Sequence, residues 1–436
     1  MVGALAVDCD DRARRALAFR RVKTRAFLAL IALFALALPA SADAAKRKRT
    51  TTQDILVVGN NWDGTATVVN PKTFKRIATL NIIPDKDERL AEIQSRPDRI
   101  GYFLAIRQLV GEGHDQFVDD AFTSHSGRYL YVSRPSFADV AAFDLKTRKI
   151  VWRTPVEGYR ADHMAISPDG TRLAVSASTA KKVHIIDTAT GKVVGSFASG
   201  DQPHENNYSR DGSKIFHASI GTVYTAFDAP ELEPSKGERV FEIVDANTLA
   251  VLRKVDMNQK LKEFGRDDMS GAVRPMALTP DEKTLYFQVS FHHGFVEYDL
   301  LTDKVRRVAD LPVTDKAPPT REQYLLDSAH HGLAMNPQGT KLCAAGTMSD
   351  YAAIVNRHTF AYKLAAEGTK PYWATNSGDG KYCFVSFSGD DNVGVIDYRK
   401  ETLVKKFAVG DHPQRMRMGK LRYGLLGTKR PATRRR

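Results

Sequence analysis

The sequence predicts an all-β fold, a seven-bladed β-propeller of four-stranded blades in which one blade is shared by the two ends of the chain. Three observations predict it. A short turn signal is written seven times, a four-strand unit recurs about every 40–45 residues, and the partial units at the two ends complement each other.

The turn signal is an apolar strand followed by Asp or Asn, then usually Thr three residues later. Its copies are Asn70–Thr73, Asp144–Thr147, Asp187–Thr190, Asp245–Thr248, Asp299–Thr302 and Asn356–Thr359, with Asp397 as a seventh that carries Lys400 in place of Thr. A carboxylate or amide at a strand end accepts backbone N–H groups of the turn ahead, and a Thr hydroxyl does the same. A local device repeated through most of a chain signals a repeat architecture.

The clearest unit runs from His163 to Gly200. Met164–Ser167 reads as its first strand, followed by the turn Pro168-Asp169-Gly170. Arg172–Ser176 and Val183–Asp187, rich in Val and Ile, are the second and third strands, and Lys192–Phe197 is a half-exposed fourth. The turn after strand one recurs at Ser126-Gly127, Arg210-Asp211-Gly212, Pro280-Asp281-Glu282, Pro337-Gln338-Gly339 and Gly378-Asp379-Gly380. A Gly-x-x-Pro entry to strand one recurs at Gly200–Pro203, Gly368–Pro371 and Gly410–Pro413. Such four-strand units match propeller blades.

The units resemble the YVTN type of β-propeller repeat, with Leu130-Tyr131-Val132-Ser133 close to the pattern that names the family. The similarity covers about residues 54–420. It implies the ring and leaves function open, because propellers host many unrelated activities. Rings of this blade type resemble those of amine dehydrogenases, of the d1-haem domain of nitrite reductase and of nitrous oxide reductase with its His-rich copper site. None of their cofactor motifs matches residue by residue here.

The N-terminal copy begins at Asp54 with Ile55–Asn60, which corresponds to strand two, so it lacks strand one. After Gly410 the chain supplies only an entry and the strand-like His412–Leu421. One C-terminal strand would complete the blade begun at the N-terminus and remove the open edges of a linear stack. The propeller is therefore expected over 54–421, a basic linker over 43–53 and a basic disordered tail over 422–436.

Residues 1–42 read as a secretory signal. Arg12, Arg14, Arg15, Arg20, Arg21, Lys23 and Arg25 precede the uncharged apolar run Ala26–Leu38. That run is too short to span a bilayer comfortably, and Pro39 and small residues follow it, with cleavage expected after Ala42 or Ala44. The expected location is secreted, periplasmic or cell envelope.

The chain has 64 basic and 51 acidic residues, a net charge of +13. Residues 50–414 carry 44 basic against 47 acidic side chains, a net of −3, so the excess belongs to the ends. A folded basic stripe is missing, which argues against a nucleic-acid partner. The ends are expected to be solvated or drawn to anionic envelope polymers and lipids. Cys343 and Cys383 occupy the same place in consecutive repeats and read as two buried free thiols. A disulfide stays open in an exported protein.

Chemistry, if any, is expected at the histidines. His163, His204, His330, His331 and His412 sit at first-strand entries, and His292 and His293 in a second-to-third-strand loop. Repeat position assigns all seven to one face of the ring. Asp120, Asp162, Glu205, Tyr372 and Trp373 stand beside the same entries. Three long fourth-to-first linkers, 81–113, Met257–Val273 and Thr314–Ala329, should roof that face, the first with a helical Asp87–Leu109 segment interrupted by Pro97.

Three readings remain for this cluster. One is a Cu or Zn site, with His163, His204, His331 and His412 as candidate ligands, since imidazole suits both metals. Another is a polar mouth for a small molecule or protein. The last is structural, with His side chains capping strand starts. A zincin motif, CxxCH and GxSxG are all missing from the sequence. The expectation is an exported monomeric binding or scaffold propeller. The alternative is a metal- or cofactor-dependent redox enzyme or its propeller subunit.

Overall fold

The computed structural model describes residues 51–224 and 227–430. The expected signal, its cleavage site and the extreme C-terminus lie outside the described residues.

Seven four-stranded antiparallel sheets form the fold. Blade 1 takes its first strand, Pro413–Arg422, from the C-terminus and its other three, beginning with Thr52–Asn60, from the N-terminus. The two ends are zipped from Thr52 opposite Arg422 to Asn60 opposite Pro413. Blades 2 to 7 follow in chain order, with first strands Ala121–Thr123, Ala161–Ile166, Pro203–Tyr208, Val273–Leu278, Leu333–Met335 and Pro371–Asn376. Each first strand neighbours the next, all round the ring. The sheet starts at Thr52, two residues before the expected boundary. Beyond Arg422, Leu425 and Leu426 pack against the core between blades 1 and 2, so the chain is folded past the expected start of the tail.

The repeated turn works as its residue types require. Asp187 accepts the Thr190 N–H at 2.8 Å and the Thr190 hydroxyl at 2.7 Å. Asn70, Asp245, Asp299, Asn356 and Asp397 accept the N–H groups two and three residues ahead. The residue four places on is left-handed in all seven copies, yet only Gly191 among them is glycine. The others, such as Arg148, Leu249 and Glu401, hold φ between 54 and 61°. A left-handed L-residue costs roughly 1–2 kcal/mol, which the side-chain cap and the backbone bond closing each turn offset.

The core lies between blades. The second and third strands are buried almost throughout, as in Arg172–Ala177 and Lys182–Asp187 of blade 3. Each fully buried Val, Ile or Leu contributes about 1.5–3 kcal/mol. Cys343 and Cys383, expected as free thiols, are instead joined in a disulfide. They lie on the second strands of blades 6 and 7, fully buried, with Cα atoms 6.6 Å apart. Packed neighbouring blades thus bring equivalent strands within bonding range.

Three helices sit in the linkers. α1 (Lys86–Gln94) and α2 (Pro97–Leu109) join blades 1 and 2, with Pro97 opening α2 at the expected break. Proline is favoured there because the first helical N–H has no partner to lose. α3 (Met257–Glu263) joins blades 4 and 5 and buries Met257 and Leu261.

Candidate functional site

The site arises from a repeated irregularity in the first strands. In blade 3 the ladder slips between Ala161 and Met164, in blade 4 between Pro203 and Asn206, and in blade 5 between Val273 and Met276. Blade 7 slips between Pro371 and Trp373, and blade 1 between Pro413 and Met416. A bulge frees residues from the ladder and re-aims their side chains. The residues freed here are Asp162-His163, His204-Glu205, Arg274-Pro275, Tyr372 and Gln414-Arg415. Seven of them, all except Glu205 and Pro275, line one cavity of about 130 Å³.

The cavity is roofed by Tyr102, Ile106 and Val110 of α2 and its end, by Val223 after the second strand of blade 4, and by Leu326 of the blade 5 to 6 linker. Two of the three long linkers therefore cover it, joined by a loop that the repeat pattern does not single out. The third linker packs beside His292 instead, through Met269 and Ser270.

His163 and His204 line this cavity, and together with His331 they offer ligand atoms that all lie within 4.8 Å of one another. Their rings are 3.7 Å (His163–His204), 5.7 Å (His204–His331) and 6.2 Å (His163–His331) apart. His163 Nδ1 lies 2.6 Å from Glu205 Oε2, and His331 Nδ1 lies 3.3 Å from the Tyr372 carbonyl. With these outer nitrogens as donors, the inner Nε2 atoms carry lone pairs. Both Nε2 atoms are buried with no hydrogen-bond partner, as is His204 Nδ1. Burial, reinforced by neighbouring arginines, holds all three imidazoles far below their usual pKa and so neutral. Neutral imidazole is the metal-binding form.

Charged residues ring the histidines. Arg417 grips Asp120 with two bonds, at 2.8 and 2.6 Å, and Arg415 pairs with Asp119. Arg160 approaches Asp162 to 3.4 Å. Burial pushes the Asp119 and Glu205 carboxyls up to about 7. Arg274 donates from Nε to Ser290 Oγ at 2.9 Å, while its Nη2 is buried with no partner.

The expected site residues divide into groups. His163, His204, Glu205, His331 and Asp162 come together, and the buried Trp373 ring lies 6.2 Å from both His163 and His331. Asp120 sits at the edge, engaged by Arg417.

His412 does not join them, which corrects the four-histidine metal set. Its ring stacks at 3.7 Å on Trp62, whose other neighbour at 3.9 Å is His114, a residue that repeat position leaves unassigned. The reason is register. His204 follows its entry proline, whereas His412 precedes Pro413, with φ 52°, and Gln414 and Arg415 take the channel positions.

His292, His293 and His330 serve the linker beside blade 6. His293 contacts the Tyr324 hydroxyl at 2.8 Å and Ser349 Oγ at 3.1 Å, His330 contacts the Tyr351 hydroxyl at 3.2 Å, and His292 contacts the Ala309 carbonyl at 3.1 Å. Arg274, Asp119 and Arg415 are site residues that the histidine pattern misses. Arg415 could have been found as the second residue after an entry proline, the place Glu205 holds after Pro203.

Fold and site together define a β-propeller with a buried polar cavity at the ring's channel, an architecture suited to binding or scaffolding. No protein-family model matches the chain, including any for the YVTN repeat, and no curated protein matches its sequence. Among solved structures, a chain of hydrazine synthase from Kuenenia stuttgartiensis is similar with a TM-score of 0.54 and 14% identity, over 71% of this chain and 96% of that one. At that identity the likeness is one of fold alone.

Proposed function

We propose that the protein is an exported propeller that binds one transition-metal ion, copper or zinc, through His163, His204 and His331. The observation that carries this reading is the set of three buried, converging imidazoles, each with one buried nitrogen that has no hydrogen-bond partner among the described residues. Burying a polar atom without a hydrogen bond is costly, and here the cost is taken three times at one point. An ion held at about 2.0–2.1 Å by each imidazole would relieve all three. The Glu205 contact to His163 and the Tyr372 carbonyl contact to His331 are the outer-nitrogen partners that metal-ligating histidines need.

Three protein ligands would leave room for a further ligand, as in catalytic rather than closed structural zinc sites. In the redox or hydrolytic version of this reading, a bound copper ion would supply one-electron redox chemistry and a bound zinc ion Lewis acidity. The chain's own residues orient the imidazoles, Glu205 at His163 and the Tyr372 carbonyl at His331. Export is supported by the basic-then-apolar leader and by the buried Cys343–Cys383 disulfide, a bond that persists in oxidising compartments.

The test is titration of chelator-stripped protein with Zn(II) and Cu(II), read by calorimetry and elemental analysis. One equivalent is expected, with affinity falling at least a hundredfold in His204→Ala and His331→Ala. Equal uptake by wild type and both variants, or none by any of them, would overturn the reading.

A further inference from the structure

We infer that the same cavity also takes a small organic monocarboxylate, with Arg274 as its anchor. This rests on the cavity being the ligand site but does not require the metal.

Arg274 is an exception among the buried cations of the ring. Arg134, fully buried, uses its guanidinium on Asp139, Asp85 and the Ile82 carbonyl. Lys236, 2% exposed, sits between Asp228 and Asp327. Arg274 is 1% exposed, and among the described residues no carboxylate comes within ion-pair distance of it. Among the described residues its only side-chain bond is to Ser290 Oγ, and Nη2 is buried with no partner. The nearby carboxylates pair elsewhere, Asp327 with Lys236, Asp119 with Arg415 and Asp162 with Arg160, each through one oxygen while the other is buried without a partner. Burial lowers the pKa of this guanidinium, against the opposing pull of Asp327, Asp162 and Asp228 farther off. A buried charge is normally paired, so an unpaired one on a cavity wall marks where an anion belongs.

The chemistry narrows the anion. The planar guanidinium fork matches a carboxylate with two parallel bonds. The roof opposite is apolar, formed by Tyr102, Ile106, Val110, Val223 and Leu326. The cavity volume of about 130 Å³ corresponds to roughly four waters at about 30 Å³ each. A carboxylate head on Arg274 with a short apolar body under α2 fits both walls. A fully hydrated oxyanion such as phosphate would leave the apolar roof unused.

The experiment is calorimetric titration of the full protein with butyrate, benzoate, benzamide and inorganic phosphate, once chelator-stripped and once zinc-loaded. Butyrate or benzoate should bind to stripped protein, benzamide should not, and Arg274→Gln should weaken carboxylate binding at least tenfold. Should Arg274→Gln not fold, as judged by circular dichroism, Val223→Trp, which fills the roof from a loop, should weaken benzoate binding similarly. Absence of carboxylate binding, equal binding of benzamide, binding of phosphate alone, or indifference to both variants overturns the inference. Zinc uptake is measured separately. Benzoate binding without zinc uptake would sink the metal reading and leave Arg274's role standing. Zinc uptake without benzoate binding would do the reverse.

Discussion

Glu205 Oε2 and His163 Nδ1 face each other at 2.6 Å inside the ring, both side chains buried, although the residues come from different blades. The carboxylate fixes which nitrogen of His163 points inward. It belongs to the residue after His204, so one bulge in blade 4 delivers both an imidazole and the group that orients its neighbour.

That relationship makes Glu205 a positioning residue. Glu205→Gln is expected to keep a stoichiometry of one metal ion while lowering affinity about 10–100-fold, the usual effect of losing an outer-shell partner. Chelator competition measures this. Unchanged affinity would show that His163 is oriented by something else.

Ring closure should be strongly stabilising. Truncation before Asp411 removes the first strand of blade 1, its ladder with Thr52–Asn60, and the partners of Asp119 and Asp120. Leaving one buried charge without its partner costs about 3–5 kcal/mol, and this truncation does so twice. The shortened chain should fail to fold or melt far below the full one. Identical melting curves would refute the closure scheme.

The disulfide should be a large single contributor to stability. Its two cysteines are separated by 40 positions, for which loop-closure entropy predicts about 4 kcal/mol. The double variant Cys343→Ala/Cys383→Ala should lose stability of that order in urea. The leader-free wild-type chain should show no free thiol when unfolded without reductant. Two titratable thiols would restore the free-cysteine expectation.

Glu242 gives a pH signature remote from the cavity. It sits buried in the third strand of blade 4, one oxygen lacks a partner, and burial pushes its carboxyl up to about 7. The folded chain then binds this proton more tightly than the unfolded chain does. Stability from this group is complete below the ordinary carboxyl pKa and is lost as pH rises towards 7. Glu242→Gln should therefore gain melting temperature over wild type progressively from pH 5 to about pH 7 and hold that difference above it. A difference that does not change with pH would contradict the assignment.

Much of the ring was legible because its signals are local. Asp187 and Thr190 meet within one turn, and Pro97 breaks the linker helix where it stands in the chain. The bulges were not legible, because they depend on how first and second strands pair, and the position of His412 turned on a two-residue offset around Pro413. Cys343 and Cys383 could be aligned by repeat, but whether they bond depends on the distance between two blades. Arg274 gave no local signal, since its role comes from the partners it lacks.

The shared blade has a further consequence, for timing. Gln414, Arg415 and Arg417 enter the channel on the most C-terminal strand of the ring, and Arg415 and Arg417 neutralise Asp119 and Asp120, which lie some three hundred residues earlier in the chain. Until that strand docks, the channel holds uncompensated acids and an incomplete wall. A chain that has not yet closed its ring would therefore lack a finished site. Whatever the channel takes up, it can take up only after the two ends have met.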